Sequence, residues 1–286
     1  MIFRGQVALV TGAGRGIGRS IARAFAREGA SLALVARSKP ELEEVSREIL
    51  AVGAGCMIAP ADVSDRPLVE RTIHSVLERL GRIDFLVNAA GVYGPIGPLV
   101  ENKMDDWVRA LEINLFGTLY CLRAVLPHML DRGSGVVINL SGGGAVTPFP
   151  HFSAYGTSKA AVVRLTETIA EEVRERGVRI NAMAPGAVNT RLLDQVLAAG
   201  EAAGTEFYLK SLDQKRVGGT SPELGSELAL FLASPAAAGI TGRLISAVWD
   251  DWRSLPQRAK ELNHSALFTL RRIDGRSFAE VCSTSA

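Results

Sequence analysis

The feature that most constrains the fold is the glycine-rich stretch Thr-Gly-Ala-Gly-Arg-Gly-Ile-Gly at residues 11–18. It directly follows the apolar run of residues 6–10 and precedes a helical pattern at residues 19–25. A glycine-rich turn between a strand and a helix lets backbone N–H groups approach a pyrophosphate at the positive end of the helix dipole. The alternative is a tight strand-to-helix turn that binds no ligand. The spacing is T-G-x-x-x-G-x-G rather than the general G-x-G-x-x-G fingerprint.

Short apolar runs recur along the chain without polar alternation, which is typical of strands buried on both faces. They cover residues 6–11, 31–36, 56–61, 84–88, 136–140, 178–183 and 243–248. Between them, residues 41–50 and 65–80 carry apolar side chains at helical spacing, and Ser38 with Glu41 forms a capping-box pattern. Because parallel strands need crossover connections, this alternation predicts an α/β fold. We expect a single doubly wound Rossmann-type domain, with a parallel sheet of about seven strands and helices on both faces.

The composition is that of an ordinary globular protein and argues against several classes of partner. The 286 residues carry a formal net charge of +2 without a cluster of Lys and Arg, so we expect no nucleic-acid partner. No run approaches the roughly 20 apolar residues of a membrane span, and the first residues lack the pattern of a secretory signal, so we expect no membrane partner and a cytoplasmic location. Cys56, Cys121 and Cys282 are scattered and form no Cys-x-x-Cys pair, which favours a reducing compartment and no metal site.

Several short motifs occur together between about residues 5 and 245. They are Thr11-Gly12-Ala13-Gly14-Arg15-Gly16-Ile17-Gly18, Asp62-Val63, Asn88-Ala89-Ala90-Gly91, Asn114, Ser141, Tyr155-Gly156-Thr157-Ser158-Lys159 and Pro185-Gly186. In their order and approximate spacing they resemble the short-chain dehydrogenase/reductase family. That resemblance implies a Rossmann-type fold, a nicotinamide cofactor, and reversible hydride transfer to or from a carbonyl or alcohol carbon.

The end of the second apolar run predicts which cofactor is preferred. In dinucleotide folds an acid at this point binds the ribose 2′-hydroxyl of NAD, whereas an Arg accommodates the 2′-phosphate of NADP. This run ends in Ala36-Arg37-Ser38 without an acid, and Arg37 offers a planar fork suited to phosphate oxygens. Arg15, in the glycine turn, could reach the same phosphate. We therefore predict NADP, with NADPH preferred over NADH; the alternative is that both arginines are solvated surface residues.

The resemblance implies further cofactor contacts. Asp62 and Val63 match the family's adenine contacts, and Asn88 and Gly91 match the turn that passes beside the cofactor. The alternative is that these four are ordinary strand-end and turn residues. The complete set of expected cofactor-binding residues is Gly12, Arg15, Gly16, Ile17, Gly18, Arg37, Asp62, Val63, Asn88, Gly91, Tyr155, Lys159, Pro185, Gly186, Val188 and Thr190.

Tyr155 and Lys159 are the candidate catalytic pair. Their spacing of four places both side chains on one face of a helix, about 5–6 Å apart at Cβ. A fixed ammonium could favour the phenolate enough to lower the Tyr155 pKa by about 3 units from its ordinary value of about 10. The alternative is a helix with a surface Lys and a half-buried Tyr.

Two more residues complete the catalytic set that the resemblance implies. Ser141 follows the run at residues 136–140, so it should lie at the carboxyl edge of the sheet. By resemblance, its hydroxyl orients the substrate carbonyl toward Tyr155. Asn114 is a polar residue in an apolar helical stretch, to which the family assigns a water in a proton relay through Lys159; an internal helix cap or kink is the alternative.

These motifs predict an NADP-dependent oxidoreductase acting on a small-molecule carbonyl or alcohol, with Tyr155 as general acid and base. The alternative is a non-catalytic NADP-binding sensor or partner-binding protein. Residues 191–220 match the family's variable substrate loop, where Lys210, Lys215 and Arg216 could meet an anionic group or form a solvated face.

The chain departs from the family after its last apolar run. We expect a dinucleotide-binding and catalytic domain at residues 1–248 and an atypical C-terminal extension at residues 249–286, which shields the substrate site or joins a neighbouring subunit. The usual aspartate and paired glycines after the last strand are replaced by Trp249-Asp250-Asp251-Trp252. This difference puts in doubt whether the protein forms the tetramer that is usual in the family. We expect a homo-oligomer, either a tetramer or a dimer.

Overall fold

The computed structural model describes residues 1–263 and 265–273, and it contains the expected parallel sheet. The strand order is β3-β2-β1-β4-β5-β6-β7, with every neighbouring pair parallel. The strands are β1 (Val7–Thr11), β2 (Ser31–Ala36), β3 (Cys56–Pro60), β4 (Phe85–Asn88), β5 (Gly135–Leu140), β6 (Val178–Ala184) and β7 (Leu244–Ser246). The prediction of a doubly wound Rossmann-type fold is therefore confirmed.

Helices connect the strands. They are α1 (Gly16–Arg27), α2 (Lys39–Ala51), α3 (Arg66–Leu80), α4 (Met104–Leu111), α5 (Gly117–Asp131), α6 (Ser153–Glu172), α7 (Arg191–Ala199), α8 (Thr205–Val217), α9 (Pro222–Ala233) and α10 (Ala259–Asn263). A π-helical turn, Glu112–Phe116, joins α4 to α5. Ser38 caps α2 as predicted, since its Oγ accepts from the Glu41 N–H at 3.4 Å, but the Glu41 carboxylate contacts Arg15 and Arg191 and does not complete the capping box. Among the described residues, no helix combines the length and apolar character needed to cross a membrane.

Both faces of the sheet are covered, which explains why the strands read as continuous apolar runs. All five residues of β1 are buried. Successive side chains of a strand point to opposite faces, so Val10 packs into the core on one side and Leu9 into the core on the other. The inner strands are thus mostly apolar because neither face is in contact with water, and the buried Asn139 and Asn181 within them are hydrogen-bonded.

The strand order reverses between β1 and β4, and this creates a crevice at the carboxyl ends of the strands. Thr11, the last residue of β1, is in register with Asn88 at the end of β4. Asn88 is in turn in register with Asn139 of β5. Ligands of open α/β sheets bind at such a switch point. The predicted site residues therefore converge on the part of the fold best suited to a ligand.

The beginning of the C-terminal extension packs onto the same sheet. Trp252, Leu255 and Leu262 are buried in the core cluster that also contains Val10. The N–H of Leu244 in β7 donates to the backbone carbonyl of Phe268 at 2.7 Å, so the extension covers the outer edge of β7. Residues 274–286, including Cys282, lie outside the described residues.

Asp84 ties together the strands that form the crevice. Its carboxylate accepts from the Val7 N–H at 2.8 Å, and its carbonyl accepts from the Val136 N–H at 2.9 Å. Arg82 and Arg132 donate to the same carboxylate. Burial by itself would raise the pKa of the Asp84 carboxyl, but hydrogen bonds from Arg82 and Val7 hold that pKa below its ordinary value. The charged form of Asp84 therefore stabilises the register of β1, β4 and β5.

We expect Asp84→Asn to lower the free energy of unfolding by about 2 kcal/mol at pH 7, because the amide cannot replace the charge that Arg82 and Arg132 contact. Since the folded-state pKa lies below the unfolded one, the advantage of the wild type is complete above pH about 4 and is lost as the pH falls through the folded-state pKa. Urea unfolding of both proteins between pH 7 and pH 3 measures this. Asp131→Asn, at an exposed carboxylate, is the control; a loss no larger than that of the control would contradict the assignment.

Candidate active site

The glycine turn after β1 needs bare backbone because another turn lies against it. Gly12 has φ of +64°, and a Cβ added there would lie 2.8 Å from the Cα of Ala90. A Cβ added at Gly18 would collide with the carbonyl oxygen of Gly12. The helix α1 begins at Gly16, and the side chain of Arg15 does not cap it. Its first N–H groups are thus suited to the pyrophosphate of a dinucleotide.

The segment after β6 faces this turn across the crevice. A Cβ added at Gly16 would lie 3.2 Å from Thr190 Cγ2. Thr190 caps α7, because its hydroxyl accepts from the Leu192 N–H at 3.3 Å. Gly186 has φ of +93° and lies against Val248 Cγ2, which a Cβ would approach to 2.6 Å. The structure therefore brings the predicted residues after β6 close to the glycine turn.

The expected adenosine end carries one acid that sequence reasoning missed as a site residue. Arg37 is exposed directly after β2. Arg15 donates to Glu41 Oε1 at 3.4 Å, and Arg191 donates to the same oxygen at 3.3 Å. The sequence identified Glu41 only as part of a capping box, since nothing local shows that its carboxylate turns toward the glycine turn. Asp62 accepts from Arg109 at 2.7 Å.

The neighbouring predicted residues are held by packing and hydrogen bonds. Val63 is buried against Gly117, where a Cβ would lie 2.7 Å from Val63 Cγ2. Asn88 Nδ2 donates to Asn139 Oδ1 at 2.9 Å, while Asn88 Oδ1 is buried without a hydrogen-bond partner among the described residues.

Asn114 lies in the π-helical turn and is fully buried. Its Oδ1 accepts from the Val92 N–H at 2.9 Å, and its Nδ2 donates to the Val92 carbonyl at 2.8 Å and to Ser158 Oγ at 2.9 Å. Gly91 lies beside it, because a Cβ there would be 3.3 Å from Asn114 Oδ1 and 3.5 Å from Lys159 Nζ. Asn114 therefore ties the segment after β4 to α6, the helix that carries Tyr155 and Lys159.

Tyr155 and Lys159 lie one turn apart in α6, as their spacing predicts, but both are buried rather than at the surface. Lys159 Nζ lies 5.6 Å from the centroid of the Tyr155 ring. It donates a hydrogen bond to the Leu140 carbonyl, at the end of β5, at 2.7 Å. The ammonium is therefore fixed beside the phenol by the backbone of the sheet.

The predicted direction of the Tyr155 pKa shift is wrong for the protein without a ligand. Burial, followed by the nearby Tyr93, raises the pKa of the Tyr155 phenol above its ordinary value. Burial also lowers the pKa of Lys159 to about 8. The ammonium was expected to dominate, but desolvation penalises both charged forms. Tyr155 is thus a neutral hydroxyl that holds its proton.

Ser141 directly follows β5 and opens onto a cavity of about 760 Å³. Its hydroxyl is buried without a hydrogen-bond partner among the described residues. A Cβ added at the next residue, Gly142, would collide with the Tyr155 hydroxyl, so that phenol lies directly over the Ser141–Gly142 turn. The predicted residues that line this cavity are Ile17, Gly91, Ser141, Tyr155, Lys159, Pro185, Gly186, Val188 and Thr190.

Aromatic side chains form one wall of the cavity; Phe207 belongs to the variable segment that was expected to line a pocket, whereas the sequence did not point to Tyr93 and Phe149. Tyr93 meets the Tyr155 ring edge-on at 4.7 Å between centroids, and Phe149 meets Phe207 at 5.0 Å. In contrast, Lys215 pairs with Asp194 on the exposed face of α8. For Lys215, this exposed ion pair favours the predicted solvated face over the alternative of contact with an anionic group.

The sequence matches the short chain dehydrogenase family over residues 6–200. The chain belongs to the short-chain dehydrogenase/reductase family. The resemblance read from its motifs is thereby confirmed, and the protein is an oxidoreductase of a family that uses nicotinamide cofactors.

Similar proteins differ in substrate and cofactor. The chain is 36% identical over 242 residues to 3β-hydroxysteroid dehydrogenase 1 of Eggerthella lenta, covering 84% of this chain and 90% of that protein. It is similar to NAD⁺-bound xylitol dehydrogenase, with a TM-score of 0.81 and 30% identity over 86% of this chain and 98% of the other. It is also similar to a variant of actinorhodin polyketide ketoreductase with NADPH, with a TM-score of 0.78 and 31% identity over 84% and 95%. The cofactor preference therefore does not follow from the family.

The depressed pKa of Lys159 predicts that its buried charge destabilises the folded protein. The penalty is complete below the folded-state pKa of about 8 and disappears as the pH rises toward the unfolded value of about 10.4. We expect Lys159→Met to raise the free energy of unfolding by roughly 1–3 kcal/mol at pH 7, less the lost bond to Leu140, and this gain should narrow by pH 10. Urea unfolding at both pH values measures the gain. Lys215→Met is the exposed control, and a gain that is equal at the two pH values would contradict the prediction.

Proposed function

We propose that the protein is an NADP(H)-dependent oxidoreductase that interconverts a carbonyl and a secondary alcohol by hydride transfer, with Tyr155 as general acid and base. One observation carries the proposal. The unpartnered hydroxyl of Ser141, the phenol of Tyr155 and the ammonium of Lys159 all line the cavity that the glycine turn adjoins. A buried hydroxyl without a partner is unusual in proteins, and a substrate oxygen would supply the missing hydrogen bond.

In the reduction direction, the bound nicotinamide would supply the hydride. Tyr155 is suited by position to donate the accompanying proton to the substrate oxygen, because its hydroxyl is protonated at neutral pH and lies over the turn that carries Ser141. Ser141 would donate a hydrogen bond to the same oxygen and hold it against the phenol. Lys159 remains largely protonated at pH 7 and would stabilise the phenolate that forms when the proton leaves.

The hydrogen bonds of Asn114 support a positioning role. Its amide contacts Val92 and Ser158, so it connects the segment after β4 with the turn of α6 between Tyr155 and Lys159. We infer that Asn114 keeps the phenol and the ammonium aligned, and that it belongs to the catalytic set for this reason.

Arg37 supports the preference for NADP. No ion pair engages Arg37 in the described part of the chain, whereas Arg15 is paired with Glu41. A planar guanidinium after β2 is suited to the three oxygens of a 2′-phosphate. We infer that Arg37 is the main determinant and that Arg15 contributes once it is released from Glu41. The other predicted contacts of the cofactor keep the roles that the family resemblance implies.

We expect Tyr155→Phe to lower kcat by at least about 10³-fold, because the reaction loses its proton donor while the ring remains in place. The Kd for NADPH, measured by fluorescence titration, should change less than about 3-fold. Tyr120→Phe on α5 is the matched control, since Tyr120 does not line the cavity. Undiminished turnover of a ketone panel by Tyr155→Phe would refute the mechanism, and absence of turnover in the wild type would favour the non-catalytic NADP-binding protein.

The wild type should have a higher kcat/KM with NADPH than with NADH, and Arg37→Asp should lower the NADPH-to-NADH ratio by at least about 30-fold, equivalent to about 2 kcal/mol. The charge reversal would repel the 2′-phosphate and offer an acceptor to a 2′-hydroxyl. Arg47→Asp, an exposed change on α2, controls for net charge. A wild type that prefers NADH would overturn the assignment. The expected homo-oligomer and cytoplasmic location stay predictions.

A further inference from the structure

The C-terminal extension lines the mouth of the cavity, and its most conspicuous residue there is Trp249. The indole is 86% exposed, which makes it the most exposed aromatic side chain among the described residues. The main-chain N–H of Trp249 donates to Ser246 Oγ at 3.1 Å, and the main-chain N–H of Ser246 donates to Asp250 Oδ2 at 2.7 Å. The turn that presents the indole is therefore held in place. A large apolar side chain fixed at the edge of a cavity is suited to covering an apolar ligand.

Phe268 lines the same cavity from a backbone conformation that side chains rarely adopt. Its φ is +59°, in the left-handed region, which disfavours every residue with a Cβ. The other such non-glycine residue in the described chain, His151, lies in the turn between Phe149 and Phe152, beside the aromatic wall. Backbone strain of this kind persists only where the surroundings impose it, and it concentrates at functional sites.

A buried arginine imposes this conformation on the extension. Arg243 is only 4% exposed, and its guanidinium donates to the carbonyls of Leu267 at 2.7 Å, Ser265 at 2.9 Å and Leu262. All three carbonyls belong to the extension and precede Phe268 in the chain. No carboxylate lies within ion-pair distance of Arg243 among the described residues. Main-chain carbonyls alone accept the hydrogen bonds of its guanidinium.

A second buried charge fixes the segment on the other side of Phe268. Glu167 of α6 is 5% exposed and accepts from the Leu270 N–H at 2.6 Å. Arg164 and Arg271 pair with the same carboxylate. Phe268 is thus held between Arg243 of the sheet edge and Glu167 of the catalytic helix, with its own carbonyl bonded to Leu244.

The chemistry of the cavity indicates the class of substrate. Besides Lys159, the one charged lining residue among the described residues is Asp250, whose carboxylate already binds the Ser246 N–H. The remaining wall is largely aromatic and aliphatic, formed by Tyr93, Val146, Phe149, Leu192, Leu193, Val196, Phe207, Trp249 and Phe268. The polar side chains that also line the cavity, Thr147, Thr190, Ser211, Gln214, Ser246 and Thr269, are uncharged. Apart from Lys159 and Asp250, the described lining therefore offers no charged side chain to compensate for the desolvation of a charged substrate.

We infer that the C-terminal extension forms the specificity wall of the substrate site, with Trp249 and Phe268 covering a neutral, apolar, ring-bearing ketone or secondary alcohol. This inference rests on the proposed carbonyl–alcohol chemistry. Flat aromatic side chains fixed by the main chain favour a rigid ring over a flexible chain, because a rigid ligand loses less conformational freedom on binding. Arg243 is a positioning residue that holds the wall.

The test compares three ketones with NADPH: a decalone, the same bicyclic ring bearing a carboxylate, and 2-butanone. The wild type should show a kcat/KM for the decalone at least 10-fold above that for either of the others. Phe268→Ala and Trp249→Ala should lower the decalone value at least 10-fold, mainly through KM, and should change the 2-butanone value less than 3-fold. Phe116→Ala, an exposed aromatic on the π-helical turn, is the control and should change neither.

Arg243→Met should reproduce the loss seen with Phe268→Ala, and Arg243→Lys should recover part of the selectivity, while the Kd for NADPH stays within 3-fold of the wild type. Arg66→Met, at an exposed ion pair with Glu70 on α3, controls for removal of an arginine. Because a loss of folding would also lower activity, thermal unfolding of each variant is measured in parallel, and the ratio between the two neutral ketones is the deciding quantity.

A binding measurement separates this inference from the proposed reaction. Decalone should quench the tryptophan emission of the NADP⁺ complex, which cannot reduce it, in a saturable way. Trp249→Phe should remove most of that quench, and Phe268→Ala should raise the Kd at least 10-fold. If no ketone is turned over but this binding is seen, the proposed function fails and the apolar wall stands. If Phe268→Ala leaves both the Kd and the ketone selectivity unchanged, or if the charged ring is preferred, the inference is overturned.

Discussion

The crevice depends on the close contact between the turns that follow β1 and β4. The Thr11 hydroxyl accepts from the N–H groups of Ala89 and Ala90 at 3.1 and 3.2 Å. Gly12 allows this approach, because a Cβ at that position would collide with the backbone of Ala90. The strand order reverses at this junction, so the turns lie against each other while the helices that follow diverge. The crevice that the predicted site residues surround begins at this contact.

Burial of Tyr155 and Lys159 disfavours the charged form of each group. Lys159 is fixed by the Leu140 carbonyl in a place where its charge is poorly solvated, and the phenol of Tyr155 is buried beside it. Such a site stores free energy that a ligand of suitable charge and shape can release. Asp84 and Glu167 are buried charges with ion-pair partners, whereas Lys159, like Arg243, has only main-chain carbonyls as hydrogen-bond acceptors among the described residues.

The C-terminal extension contacts both the outer edge of the sheet and the cavity. The backbone of Phe268 bonds to β7, and its side chain lines the cavity. An unpaired edge strand is open to association with other chains, so coverage by the same polypeptide protects it. Arg243 holds this cover through main-chain carbonyls, and Glu167 holds it through the Leu270 N–H and the Arg271 side chain.

The sequence by itself determined the order of strands and helices, since unbroken apolar runs of about five residues require burial on both faces. It also determined the spacing of Tyr155 and Lys159, because four residues are about one helical turn. Only the tertiary structure decided the surroundings of these groups. The contact of Glu41 with Arg15, the hydrogen bonds of Asn114 to Val92 and Ser158 and the raised pKa of Tyr155 all arise between segments distant in the chain. Desolvation depends on everything packed around a group, and no local pattern of residues records it.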